Sequence, residues 1–152
     1  MGAAYFYHLT RHPLEETLSV LLTKARQAGW RIEVRGTDPA RMAWLDERLW
    51  LGREDAFLPH GLAGGAHDTD QPVLLTSHPL TDPGINCLMT IDGAELQPDE
   101  ITRLDRACVL FDGNQQTSLE KARNQWKSLT EAGCSAQYWS EESGRWEKKA
   151  ER

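Results

Sequence analysis

Three short runs of this chain are apolar almost without interruption: AAYFYHL at 3–9, INCLMTI at 85–91 and RACVLF at 106–111. A strand with one wet face alternates apolar and polar residues, whereas a strand covered on both faces need not. Such runs therefore ask for a sheet with helices on both sides. Amphipathic segments stand between them. Leu14, Leu18, Leu21, Leu22 and Ala25 form one stripe at helical spacing, opened by Pro13 with Glu15 and Glu16 near its positive end and closed by Gly29. Met42, Leu45 and Leu49 form a second, with Asp38 as N-cap and Pro39 at the first helical position. Short strands are expected at Arg31–Val34 and Val73–Thr76, and a short helix over Leu96–Arg103 with Pro98 at its start. A long helix over Gln115–Ala132 is closed by Gly133 and followed by an extended piece, Ser135–Ser140. Strand and helix in alternation argue for parallel βαβ units with right-handed crossovers. The expected fold is α/β, a single-domain three-layer sandwich with a mostly parallel sheet over residues 1–148. Gly61–Gln71 reads as the loosest segment, a turn at Ser143-Gly144 lets Trp146 pack back, and residues 149–152 are expected to fray.

The length of 152 residues suits one domain with a real core. Lys plus Arg number 17 and Asp plus Glu 23, a net charge of −6, which disfavours direct phosphate binding. The chain is therefore expected to reach DNA only indirectly, through other proteins. The three cysteines, Cys87, Cys108 and Cys134, form no CxxC pair; Cys87 and Cys108 lie in strand-like runs, as buried reduced thiols of a cytoplasmic protein do. No window is long and apolar enough for a membrane span, and the N-terminus lacks the order of a signal peptide.

A doubly wound sheet invites a nucleotide, and the motifs for one are missing. G-x-x-x-x-G-K-[ST] is absent, and GLAGG at 61–65 has no lysine or hydroxyl after it. The first strand leads into HLTRHP, with His8, Arg11 and His12 where a pyrophosphate would need bare backbone. His8 and His12 straddle a strand end and a loop and need not converge on a metal; His60 is expected to hydrogen-bond loop backbone. Ser77-His78 and Cys87 have no triad partner or nucleophile elbow. No cofactor or metal is expected. A nucleotide-dependent enzyme on a mononucleotide-binding fold remains the alternative.

Recognition needs exposed anchors instead, and the chain holds six tryptophans. Trp30, Trp44, Trp139 and Trp146 read as packing; Trp50 and Trp126 stand out. Trp126 shares a narrow apolar stripe with Leu119, Ala122 and Leu129, while Arg123 and Lys127, four residues apart, lie beside it. Two cations flanking an aromatic ring suit an acidic peptide, against the plainer reading of a solvated helix face. Trp50 ends the second helix, and Phe57, Leu58 and Pro59 follow on a loop that either packs on its own domain or awaits a partner.

LDERLW at 45–50 followed by F-x-P-H-x-L-A-G at 57–64 resembles the chi subunit family of bacterial DNA polymerase III. The likeness extends to AYFYHL at 4–9, VLFDGN at 109–114 and ARNQWKSLTEAG at 122–133. It implies a fold like the mononucleotide-binding proteins without a phosphate-binding motif, no catalytic step, and an adaptor in the clamp-loader assembly. It also implies two partners. The acidic C-terminal tail of single-stranded-DNA-binding protein would meet Arg123, Trp126 and Lys127, with Phe111 as an apolar wall. The psi subunit would meet Trp50 and Phe57, with Leu58 and Pro59 as neighbours. Lys121 falls on the opposite helix face.

Overall fold

The computed structural model describes residues 2–50, 59–64, 71–80 and 84–152. Its elements run β1 (Ala3–Leu9), α1 (Leu14–Gln27), β2 (Ile32–Arg35), α2 (Pro39–Trp50), β3 (Gly61–Leu62), β4 (Val73–Thr76), β5 (Cys87–Thr90), α3 (Pro98–Arg103), β6 (Arg106–Asp112), α4 (Gln116–Glu131), β7 (Ser135–Ser140) and β8 (Glu147–Glu151). The strands form one sheet in the order β3-β4-β2-β5-β6-β1-β7-β8, parallel throughout except for β8.

The near-continuous apolar runs are explained by burial on both faces. Alternate residues of β2, β4, β5 and β6, such as Val34, Leu75, Met89 and Cys108, pack under Leu18 and Leu22 of α1 and Met42, Leu45 and Leu49 of α2. On the other face Phe6, Leu88, Val109 and Ala136 pack under Ile101 of α3 and Ala122 and Leu129 of α4. Cys87 and Cys108 are free and buried. The fold is thus the expected three-layer α/β/α sandwich.

Neighbouring strands β1 and β6 send their helices to opposite faces, α1 to one and α4 to the other. That divergence opens a crevice at the strands' C-terminal ends, the usual ligand position in open α/β sheets. A cleft of about 710 Å³ lies there, bordered by Thr10–Glu15, Asp92, Gly93, Phe111 and Lys121.

Three local expectations are corrected. The second strand is Ile32–Arg35, one residue later than its apolar pattern suggests, because a charged residue closes it. Gly61–Leu62, within the segment expected to be loosest, pairs in parallel with Leu74 and Leu75 and forms a sheet edge. The terminal residues, expected to fray, form β8: Glu151 pairs with Gln137, and Arg152 and Ala136 exchange two backbone hydrogen bonds. The charged sequence EKKAE suits an edge that must not recruit another chain.

Arg35 lies inside the sheet, 2% exposed. Its Nε donates to Glu33 Oε2 at 2.8 Å, Nη2 to Glu100 Oε2 at 2.6 Å, and Nη1 to the Glu95 carbonyl at 3.0 Å. Burial lifts the Glu33 carboxyl above its ordinary range despite Arg35 beside it. Glu100 also accepts the Gln97 amide in a capping box, so one guanidinium joins β2 to the start of α3. Arg35→Ala leaves Glu33 buried without its cation and should cost about 3–5 kcal/mol. Urea denaturation measures this; a loss below about 1 kcal/mol would show that the network is not holding α3.

Candidate functional site

Helix α4 buries Ala122 and Leu129 against the sheet, which turns Trp126 to one flank. Trp126 is half-buried and meets two rings edge-on: Phe6 at 5.3 Å and Tyr138 at 6.0 Å between centroids. Tyr138 in turn lies 5.9 Å from Phe111, and Phe111 lies 5.2 Å from His8. Phe111 is only 5% exposed, so a ligand on this flank meets Tyr138 first and Phe111 behind it. Tyr138 was not singled out in the sequence. Its face follows from register, since β7 sets it beside Phe6 of β1.

Arg123 and Lys127 are exposed on the same helix. Neither makes an ion pair or side-chain hydrogen bond within the described residues. Glu120, the nearest candidate by spacing, accepts from Gln116 instead at 3.0 Å. Lys121 projects from the opposite flank, where it lies across Gly93 and borders the cleft. The structure therefore brings Trp126, Arg123 and Tyr138 to one flank and separates Lys121 from them.

The second candidate surface begins at Trp50, the last residue of α2 and 50% exposed. Its ring stacks on that of buried His60 at 4.2 Å between centroids. His60 Nε2 lies 3.0 Å from the Asp46 carbonyl, a backbone partner on helix α2. Pro59 is half-buried; Phe57 and Leu58 lie outside the described residues.

Comparison with known proteins adds the missing context. The family described as DNA polymerase III chi subunit, HolC, matches residues 1–137. The chain belongs to the chi subunit family of DNA polymerase III. A curated relative, DNA polymerase III subunit chi of Pseudomonas aeruginosa, is 40% identical over 55 residues, which cover 36% of this chain and 37% of that protein. The match thus spans little more than a third of the relative's length. Every candidate residue named from the sequence falls within the family match, whereas Tyr138, Glu141 and β8 lie just beyond it.

In this chi-family chain the loop from β1 to α1 is closed by a side chain from the far end of the sequence. Glu141 is 1% exposed. Its Oε1 accepts the backbone N–H groups of Thr10 at 3.0 Å, Arg11 at 2.6 Å and His12 at 2.8 Å, and its Oε2 meets His12 Nδ1 at 2.9 Å. Successive amides converging on one oxygen form an anion-binding nest. His12 is thereby committed to Glu141, while His8 Nδ1 meets the Tyr138 hydroxyl at 2.8 Å, so the two histidines do not converge. Among the described residues no three His, Cys, Asp or Glu side chains are grouped to hold a metal ion. Nothing in the sequence marks Glu141, because its partners lie about 130 residues away.

Burial alone would push the Glu141 carboxyl up; the His12 ring and the three amides outweigh it and bring it down to about 2 from an ordinary 4.5. A carboxyl held down in the folded state stabilises the fold above its ordinary pKa and loses that contribution as the pH falls through the folded value. Glu141→Gln should cost about 2 kcal/mol at neutral pH, the order of hydrogen bonds to a charged acceptor. The gap from wild type should narrow as the pH falls from 4.5 toward 2. Urea titrations in neutral and acidic buffer check this; an equal gap in both would mean that the charge plays no part.

Proposed function

We propose that this chi-family protein is a non-catalytic adaptor of the replicative polymerase. It joins a psi subunit on the Trp50 surface to the acidic C-terminal tail of single-stranded-DNA-binding protein on the α4 flank. The observation that carries the tail site is the pair of cations, Arg123 and Lys127, without an anionic partner among the described residues, beside a half-buried tryptophan in a chain of net charge −6. Among the described residues, three other arginines are engaged: Arg35 with Glu33 and Glu100, Arg41 with Asp92, Arg11 with backbone carbonyls. An acidic tail supplies the missing anions. Arg123 grips a terminal carboxylate in a forked pair, Lys127 draws in upstream aspartates as a point charge, and Trp126 backs the apolar terminal side chain, with Phe111 behind. The alternative, a nucleotide-dependent enzyme, is disfavoured because Glu141 already takes the amides of the first crossover loop.

Arg123→Ala should weaken tail binding by about 2 kcal/mol, roughly thirtyfold, and Lys127→Ala by less. Both affinities should fall as salt rises, because exposed charges are screened beyond about 8 Å at physiological ionic strength. Fluorescence polarisation of a labelled tail peptide measures this, and equal affinity for all three proteins places the tail elsewhere.

For psi, Trp50, Phe57, Leu58 and Pro59 form the contact. Half of Trp50 faces solvent, so Trp50→Ala should leave the melting temperature within a few degrees of wild type. The same change should weaken psi capture at least tenfold, as loss of an aromatic anchor does. Calorimetric melting and a pull-down with purified psi separate the two effects; a large drop in melting temperature would make Trp50 a core residue.

A further inference from the structure

The α4 flank carries an anion of its own. Glu142 follows the buried Glu141, and its backbone is held from both sides. Its N–H donates to Ser140 Oγ at 3.2 Å, and its carbonyl accepts Arg11 Nη2 at 2.7 Å. Its side chain is left out of this scheme. It is 62% exposed, and Oε1 stops 3.8 Å from His8 Nε2, beyond hydrogen-bond reach. His8 is fixed in turn. Its Nδ1 lies 2.8 Å from the Tyr138 hydroxyl, and its ring lies so close over Gly113 that no Cβ fits there.

Tyr138 is the ring that a ligand on this flank meets beside Trp126. Burial raises its hydroxyl's pKa; Arg123 pulls it down and Glu142 pushes it up, so both charges act on one hydroxyl. Yet Arg123 and Glu142 form no ion pair with each other. The cation is unpaired among the described residues, and an exposed carboxylate lies 3.8 Å from the histidine that meets the Tyr138 hydroxyl.

We propose that Glu142 is a built-in anionic competitor at the mouth of the α4 site, weakening every acidic ligand that Arg123 attracts. This rests on the reading of that flank as the site of an acidic C-terminal peptide. A ligand carboxylate arriving at Arg123 gains its fork of donors and meets Glu142 across the Tyr138 edge. The complex is consequently weaker and releases faster than the cations alone would give, which suits a contact that must be remade often. Glu142 thus sets the affinity, while Arg123 and Trp126 set what is bound.

The probe is a fluorescein-labelled peptide of four aspartates ending in a phenylalanine with a free carboxylate. A control peptide has asparagines in place of the aspartates and an amidated end. Polarisation titrations compare wild type, Glu142→Gln, Glu142→Lys and Arg123→Ala at low and high salt. Glu142→Gln should bind the acidic probe roughly threefold to tenfold more tightly at low salt, the size of one repulsion across a wet site. Glu142→Lys should gain more, and both gains should shrink at high salt. The control should not respond. Unchanged or weaker binding by Glu142→Gln, with Arg123→Ala still defective, overturns the competitor and leaves the tail site standing. An equal gain for the control peptide overturns it as well, because the effect is then not one of charge. Wild-type affinity in Arg123→Ala removes the tail site and Glu142's role with it. Because the Glu142 side chain is exposed and makes no hydrogen bond among the described residues, matching melting temperatures of the variants are expected.

Discussion

One buried carboxylate ties the two ends of this chain together. Glu141 leaves the last parallel strand and gathers three amides and an imidazole from the loop that follows the first. A carboxylate taken out of water is costly unless donors surround it, and here four do. In nucleotide-binding α/β proteins a loop at this place in the sheet presents its amides to a phosphate. The chi-family chain satisfies them internally. Arg11, the middle residue of the loop, reaches back to the carbonyls of Glu141 and Glu142, so the clamp closes in both directions. The geometry of the first crossover, and with it the start of α1, depends on this contact between the first and last parts of the sequence.

The distribution of charge follows a similar economy. Arg35 is buried with two carboxylates and a carbonyl around it, and Arg41 meets Asp92 at 3.0 Å. Those cations are consumed in shaping loops at the C-terminal ends of β2 and β5. The cations of α4 are left over, on a helix whose buried face is small and whose outer face is polar. In a chain of net negative charge, such a remainder is one part of the described surface where positive charge stands without a partner.

Much of this was legible in the sequence. The runs at β1, β5 and β6 announce a sheet covered on both faces, and the stripes of α1, α2 and α4 announce what covers it. The failures share a cause. Arg35 ends β2 as a buried cation because Glu100, 65 residues away, comes to meet it. The strands β3 and β8 carry no apolar alternation: Gly61–Leu62 is too short for any period, and Glu147–Glu151 joins the sheet at its edge through backbone pairing and one side-chain hydrogen bond, Gln137 to Glu151. In the site, Arg123, Trp126 and Lys127 could be grouped from helical spacing because all lie on one element. Tyr138 could not, because its partners sit on β1, β6 and α4 and only register brings them together. Local periodicity is visible in one segment; a contact between distant segments is not.

The position of β1 has a consequence for how the chain is made. It lies between β6 and β7, paired residue for residue with Arg106–Asp112 on one side and Ser135–Ser140 on the other. β1 therefore leaves the ribosome with no permanent neighbour until Arg106–Asp112 has followed it, and with only one until Ser135–Ser140 has. Contacts this far apart in sequence slow folding, since the loop must close before it is rewarded. Until then AAYFYHL is an apolar strand with two open edges, the kind of segment that pairs with other chains. A nascent chain of this protein should accordingly rely on chaperone cover throughout most of its synthesis, and its last strands complete the sheet as well as its edge.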